Sequence, residues 1–408
     1  MRPLALLLAA WVAAAQAAPA PAGIFSEVDR ILGELTRISG LKARHPVACD
    51  TISREKVGAF LQERVKEVAT PEEIRAEELT LKKFGLVPSD FDLAKTTVDL
   101  FTEQALAFYD FNKRRLFITA ASASANEEPA LAHELAHALA DQSFNLERFI
   151  KHGRGSDDGA LARMAVMEGQ ATWLMSEYMA RRVGQSLETS PALVDSVSSS
   201  TESVAGQFPV FDGAPLYTRA TLVFPYSAGV RFQHAVVRRD GQAAFASVFR
   251  HPPISTQQVL HPGKYFAGLR PTKPPLPELP ARGGYKELAS GSFGELDHAI
   301  LIEQYAGKAA AAVAEGWRGG AYRLWENRTR GRLVLAYASD WDSPETARRV
   351  FALYRRVLAG KWKKLEIASE TPERLAGEGD DGHFEVEIRG TVVSSLEGTE
   401  QRVSTAGR

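Results

Sequence analysis

One cysteine, Cys49, stands in a chain of 408 residues, so no disulfide can close within it, and stability has to come from packing or from a bound ion. An excess of charge of one sign is also missing. Against 49 Lys and Arg stand 50 Asp and Glu, which leaves no broad cationic field for a nucleic-acid backbone or an anionic membrane. Beyond the N-terminus no apolar run approaches the roughly 20 residues that a spanning helix needs. Internal repeats are absent, and the one biased tract is a proline-rich stretch. What remains is 45% hydrophobic and 24% charged residues, the composition of an ordinary globular chain. Its length favours two domains over one.

Arg2 precedes an apolar run over 4–15, followed by the small residues Ala15-Gln16-Ala17-Ala18. This reads as a secretory signal peptide over 1–18, too short to span a bilayer. No cysteine lies near the cleavage site to carry a lipid. The expectation is an exported chain, periplasmic or secreted, with no membrane span after signal cleavage and no nucleic-acid partner.

Apolar spacing predicts helices over 24–38, from Ser53 to about 68, and after Thr70, where Thr caps and Pro71 takes the first helical position. Residues 115–119 read as a short strand. Helices follow over 129–142 and 158–182, then a polar, Gly- and Ser-rich span, 189–218, expected to be loop or short irregular helix. Helical patterns resume over 227–238 and 242–249, and 250–262 reads as a Pro-bounded loop. Five prolines in 271–280 suggest a semi-rigid linker, taken as 271–284. Beyond it, strands over 320–326, 332–337, 364–367 and 384–388 and a helix over 343–358 predict a small α/β sandwich covering 285–408. The fold class expected is α+β: a largely helical domain over 24–270 with a small sheet, then the sandwich.

His133-Glu134-Leu135-Ala136-His137 lies inside the predicted helix over 129–142. The two imidazoles are four residues apart and emerge on one face, where both can bind one ion. Zinc suits neutral imidazole, and a catalytic site needs three protein ligands and an open position. Glu134 stands beside the first ligand, placed to act as general base toward water activated at the metal. With 9 His in the chain, such a pattern arises by accident in about 1% of sequences of this kind; the small apolar residues Ala136, Ala138, Leu139 and Ala140 around it favour a buried, functional helix. For the third ligand the helix over 158–182 offers Glu168 and Glu177, and the loop before it His152. Glu168 is preferred, because it is a carboxylate in an otherwise apolar stretch, costly to bury without an ion or partner. Asp141 is placed to fix the second imidazole's tautomer, and Thr172 to support Glu168.

Together, His133-Glu134-Leu135-Ala136-His137 and Glu168-Gly169-Gln170-Ala171 resemble the gluzincin branch of zinc metallopeptidases, which includes the thermolysin-like enzymes. A looser resemblance, covering about 24–266, is to bacterial exported proteins of unassigned activity. It is carried by Phe108-Tyr109-Asp110, the run His137 to Gln142, and Pro252-Pro253-Ile254-Ser255-Thr256 before His261-Pro262. The chain departs from the metzincin pattern at Ala140 and Ser143, and from thermolysin at Thr172, where a carboxylate would stand. The resemblance implies one zinc ion held by His133, His137 and Glu168. It also implies a strand beside the cleft that pairs with an extended substrate, for which 115–119 is placed. The oxyanion needs a donor; His261 is the first candidate, followed by Tyr226 and Tyr265.

The function expected is therefore a secreted or periplasmic zinc-dependent peptidase acting on peptide or protein substrates, with Glu134 and His261 as its catalytic side chains. Absence of a Gly-x-Met-x-Asn run favours an endopeptidase. One alternative is an inert, zinc-containing peptide-binding or scaffold protein of the cell envelope. Another is a non-metal protein that binds through Trp317, Trp325, Trp341 and Trp362 of the C-terminal domain.

Overall fold

Ala-, Leu- and Val-rich sequence with 3.6-residue spacing makes the first 270 residues helical, and β-branched and aromatic alternation makes most of the remainder strand. In a computed structural model of the chain, residues 27–104, 107–119, 127–153, 155–202, 208–279 and 283–400 are described. The expected signal peptide, 1–18, lies outside them. The fold is α+β, a helical N-terminal region followed by an antiparallel sheet with two long helices. Among the described residues no helix is long and apolar enough to cross a membrane.

The helices begin where the sequence provides a stop to the preceding chain. Thr70 accepts from Glu73 N while Glu73 reaches back to Thr70 N, a reciprocal cap for helix Pro71–Phe84. Ser53 occupies the cap position of Arg54–Val68 but makes no side-chain bond there. Three strands, β1 (Ala48–Ile52), β2 (Ala107–Asp110) and β3 (Arg115–Thr119), form a small sheet in the order β1-β3-β2. Strand β3 pairs in parallel with β1 on one side and antiparallel with β2 on the other. It is the central strand, with both hydrogen-bonding edges taken, so it cannot accept the backbone of a substrate. The edge next to helix Glu127–Phe144 is β2.

The polar span 189–218 is more ordered than its composition suggests. It holds helix Pro191–Glu202 and the short helix Pro209–Gly213, and the next helix already starts at Leu216. That helix, Leu216–Asp240, runs through Pro225, a residue that ordinarily argues for a helix boundary. The expected loop over 250–262 contains helix Thr256–Leu260, capped by Ser255.

Beyond residue 283, seven strands form one sheet: β4 (Lys286–Ser292), β5 (Trp317–Asn327), β6 (Arg332–Trp341), β7 (Leu365–Glu370), β8 (Arg374–Gly379), β9 (Gly382–Arg389) and β10 (Val392–Thr399), ordered β4-β5-β6-β10-β9-β8-β7. Helices Glu295–Ala306 and Pro344–Lys361 pack together and against it. The proline-rich segment lies on this sheet. Thr272 N donates to Arg318 O at 2.8 Å, its hydroxyl to Asp340 at 2.7 Å, and Leu279 joins Trp325, Val334, Ala336 and Leu396 in a small apolar cluster.

A seam joins the two regions. Phe84 stacks on Phe293 with ring centroids 4.4 Å apart and meets Tyr322 and Tyr337 edge-on. Tyr305 and Gln304 both donate to the carbonyl of Gly85, and Lys83 pairs with Asp381 at 2.8 Å. The main hydrophobic cluster passes through the seam without a break, from Leu35 and Trp173 to Tyr337 and Val386.

Candidate metal centre

Helix Glu127–Phe144 is buried from Ala130 to Asp141: Ala132, Leu135, Ala138 and Leu139 are inaccessible, and so are His133 and Glu134. A helix that is apolar all round belongs in the middle of a core, so its two imidazoles and one carboxylate need partners inside the protein. Helix Asp157–Arg182 supplies one. Ser156 caps its start through Gly159 N, Asp157 and Asp158 lie in its first turn and Arg181 and Arg182 in its last, matching the helix dipole. Midway along it, Glu168 is completely buried.

The three side chains converge. His133 Nε2 and His137 Nε2 are 3.1 Å apart, and Glu168 Oε2 is 3.2 Å from the first and 3.3 Å from the second. Their ligand atoms, all buried, fall within 4.8 Å of one another. One proton can serve one side of such a triangle, since a hydrogen bond is directional. A tetrahedral zinc ion with bonds of about 2.05 Å separates its ligands by about 3.3 Å, close to all three sides. Glu168 Oε1 is buried with no hydrogen-bond partner among the described residues, an acceptor that burial makes costly to leave unused. The donor set, its spacing and this orphaned oxygen all fit zinc.

The electrostatics follow from burial. Desolvation pushes His133 down to about 4, although Glu168 opposes it. His137 is raised, because Glu168, Glu134 and Asp141 together outweigh its desolvation, and Glu168 itself is lowered by the imidazoles against its own burial. Desolvation lifts Glu134 to about 8. Its Oε2 accepts from Tyr109 N at 2.7 Å, while Oε1 has no partner among the described residues.

The competing third ligands are occupied elsewhere. Glu177 accepts from Arg181, the Ser186 hydroxyl and Leu187 N, holding the chain after its helix. His152 bonds to Arg148 O at the end of a short helix. Arg163 donates to Phe149 O and lies over the Phe149 ring. Asp141 is on the HExxH helix as expected, but its carboxylate bonds to the Tyr109 hydroxyl at 3.0 Å and Leu146 N at 2.8 Å. Thr172 is buried without a hydrogen-bond partner for its hydroxyl among the described residues.

His261 is not brought to this centre. Its Nε2 lies 2.6 Å from Glu295 Oε1, in the seam. The neighbouring Leu296 N donates to Thr256, which in turn holds Asp158, ten residues and about 15 Å of helix before Glu168. Tyr265 bonds to His251 O. Tyr226 is the candidate donor that does reach the centre. Its ring centroid is 6.1 Å from that of His133, and burial followed by the charges of Glu168 and Glu134 keeps its phenol protonated well above the usual range. Sequence spacing missed the Tyr109 amide altogether, because a main-chain donor leaves no residue-type signal. In the C-terminal region Trp317 and Trp341 are fully buried and Trp325 and Trp362 nearly so; they are core, not a binding face.

Residues 278–406 match a family described as a domain of unknown function, DUF8575. Neither the curated proteins nor the solved structures contain a match to the chain.

Proposed function

We propose that the protein is a zinc-dependent peptidase, exported through its N-terminal segment, in which His133, His137 and Glu168 hold the ion and Glu134 is the general base. The observation that carries the reading is the triangle of ligand atoms with sides of 3.1, 3.2 and 3.3 Å, set beside a carboxylate with one oxygen uncommitted. When bound, zinc would supply Lewis acidity, lowering the pKa of water and polarising a peptide carbonyl. Glu134 Oε1, the oxygen with no partner among the described residues, takes the proton of the attacking water and passes it to the leaving amine. The Tyr226 phenol, which in the structure hydrogen-bonds to Glu168, would turn to the oxyanion when substrate is bound and donate to it. A purely structural ion has no use for an uncommitted carboxylate beside its ligands, which favours peptidase over inert scaffold.

Metal content by elemental mass spectrometry, paired with cleavage of a peptide pool, tests this. About one zinc per chain and cleavage by wild type, with zinc kept and cleavage lost in Glu134→Gln, is the expected result. A folded protein that neither carries nor takes up zinc would overturn it.

A further inference from the structure

We infer that Tyr109 and Asp141 form a clamp that aims the Glu134 carboxylate, so that both act as positioning residues for the base; this rests on the peptidase reading above. Tyr109 lies on β2, the edge strand beside helix Glu127–Phe144. It touches that helix twice: its N–H donates to Glu134 Oε2 at 2.7 Å, and its hydroxyl donates to Asp141 Oδ2 at 3.0 Å. Glu134 and Asp141 are seven residues apart, about two helical turns, so one tyrosine spans the face of the helix from its main chain to the tip of its ring. Asp141 is itself fixed from the far side, where Oδ1 accepts Leu146 N at 2.8 Å. All of these groups are buried.

The geometry divides the work of the carboxylate between its two oxygens. With Oε2 held by a main-chain donor, rotation about the last side-chain bond is blocked, and Oε1 is left as the atom able to take a proton. Among the described residues strand β2 pairs only on its β3 side, so its outer amide needs another acceptor. The phenol contact holds the strand at the distance where Glu134 is that acceptor. General-base chemistry is sensitive to such placement: a misplacement of about 1 Å costs on the order of 100-fold.

Removing the hydroxyl in Tyr109→Phe keeps the ring and the N–H but releases the far end of the clamp. Three measurements on the full zinc-loaded chain test it: amide hydrogen exchange over 107–110, zinc stoichiometry, and kcat and KM on a peptide that wild type cleaves. The expected result is exchange about tenfold faster in β2, unchanged zinc, and kcat lower by about 10- to 100-fold at unchanged KM. Asp141→Asn, whose oxygen can keep Leu146 N while its NH2 donates to the phenol oxygen, retains the contact and should stay near wild type, while Asp141→Ala should behave like Tyr109→Phe. Faster exchange with wild-type kcat, or wild-type exchange in both Tyr109→Phe and Asp141→Ala, would overturn the clamp and leave the peptidase reading standing. A zinc-loaded wild type that cleaves nothing in the pool would instead remove the peptidase reading and, with it, the clamp's role in aiming a base.

Discussion

Gly169 and Gly229 meet main chain to main chain: a β-carbon on Gly169 would lie 2.2 Å from the carbonyl carbon of Gly229, and one on Gly229 would lie 2.4 Å from the carbonyl oxygen of Ala165. No side-chain rotation relieves either contact, because the obstacles are backbone. This close approach sets the helix that carries Glu168 against the helix that carries Tyr226. Gly169→Ala should force the two apart, costing about 1–3 kcal/mol or more, with Glu168 displaced from the imidazoles next to it. Thermal unfolding and metal content should therefore fall together in this variant, while Gly263→Ala, where a β-carbon meets nothing within 4 Å, should leave both unchanged.

Loss of the third ligand should differ in kind from loss of the base. Glu168→Ala leaves His133 and His137 facing each other with two ligands only, and zinc affinity should drop by more than the 10- to 100-fold typical of losing an outer contact. Glu134→Gln should bind the ion as wild type does and lose about 10²- to 10⁴-fold in kcat. Chelator competition separates the two: equal zinc loss from both variants would contradict the assignment.

The structure sets Tyr226 beside His133 and His261 against Glu295, so the two candidate donors give different expected outcomes. Tyr226→Phe should keep zinc and lose about 10²- to 10³-fold in kcat, the usual effect of removing an oxyanion donor. His261→Ala should leave kcat untouched but strip the 2.6 Å partner from the nearly inaccessible Glu295, destabilising the fold by about 1–3 kcal/mol. Parallel rate and melting measurements on the two variants check this, and a large rate loss in His261→Ala would restore it as donor.

His298 gives the fold a sensitivity to acid. Fully buried between Gly294 O and the Tyr337 hydroxyl, it has its pKa pushed by desolvation from 6.5 down to about 4. The unfolded chain binds this proton first as pH falls. The benefit of burying a neutral ring is thus complete above about pH 6.5 and is lost progressively down to about pH 4, on the order of 3 kcal/mol in all. Melting curves at pH 7 and pH 4.5 should show a larger fall for wild type than for His298→Gln; equal falls would mean that the ring is already charged in the native state.

Much of this centre was legible because helical periodicity and metal chemistry act on residue types at fixed spacing. His133 and His137 share a face by arithmetic, and Glu168 stands out as an acid among Met164, Ala165, Val166 and Met167. The strand over 115–119 was legible in its bounds but not in its role, since position within a sheet is settled by β1, whose Ala-Cys-Asp-Thr-Ile alternates too weakly to announce a strand. Pro225 hid the first turns of helix Leu216–Asp240, and with them the argument for Tyr226. In the C-terminal region β8 and β10, rich in Gly, Ser and Glu, depend on pairing with neighbours rather than on their own propensity. The seam was invisible from sequence, because contacts such as Phe84 with Phe293 join residues more than 200 positions apart.

That seam separates two ideas of a unit. The family match starts at residue 278, yet the Phe84 stack and the Tyr322–Asp157 bond tie the C-terminal sheet to the helical region, and the Asp158–Thr256 bond anchors the chain that leads into it. A stretch that recurs as a sequence block is here packed against chain outside that block. Heat or denaturant should dissolve both regions in one cooperative transition, and a graft of 278–406 onto another chain would carry with it a raw apolar face shaped to Phe84.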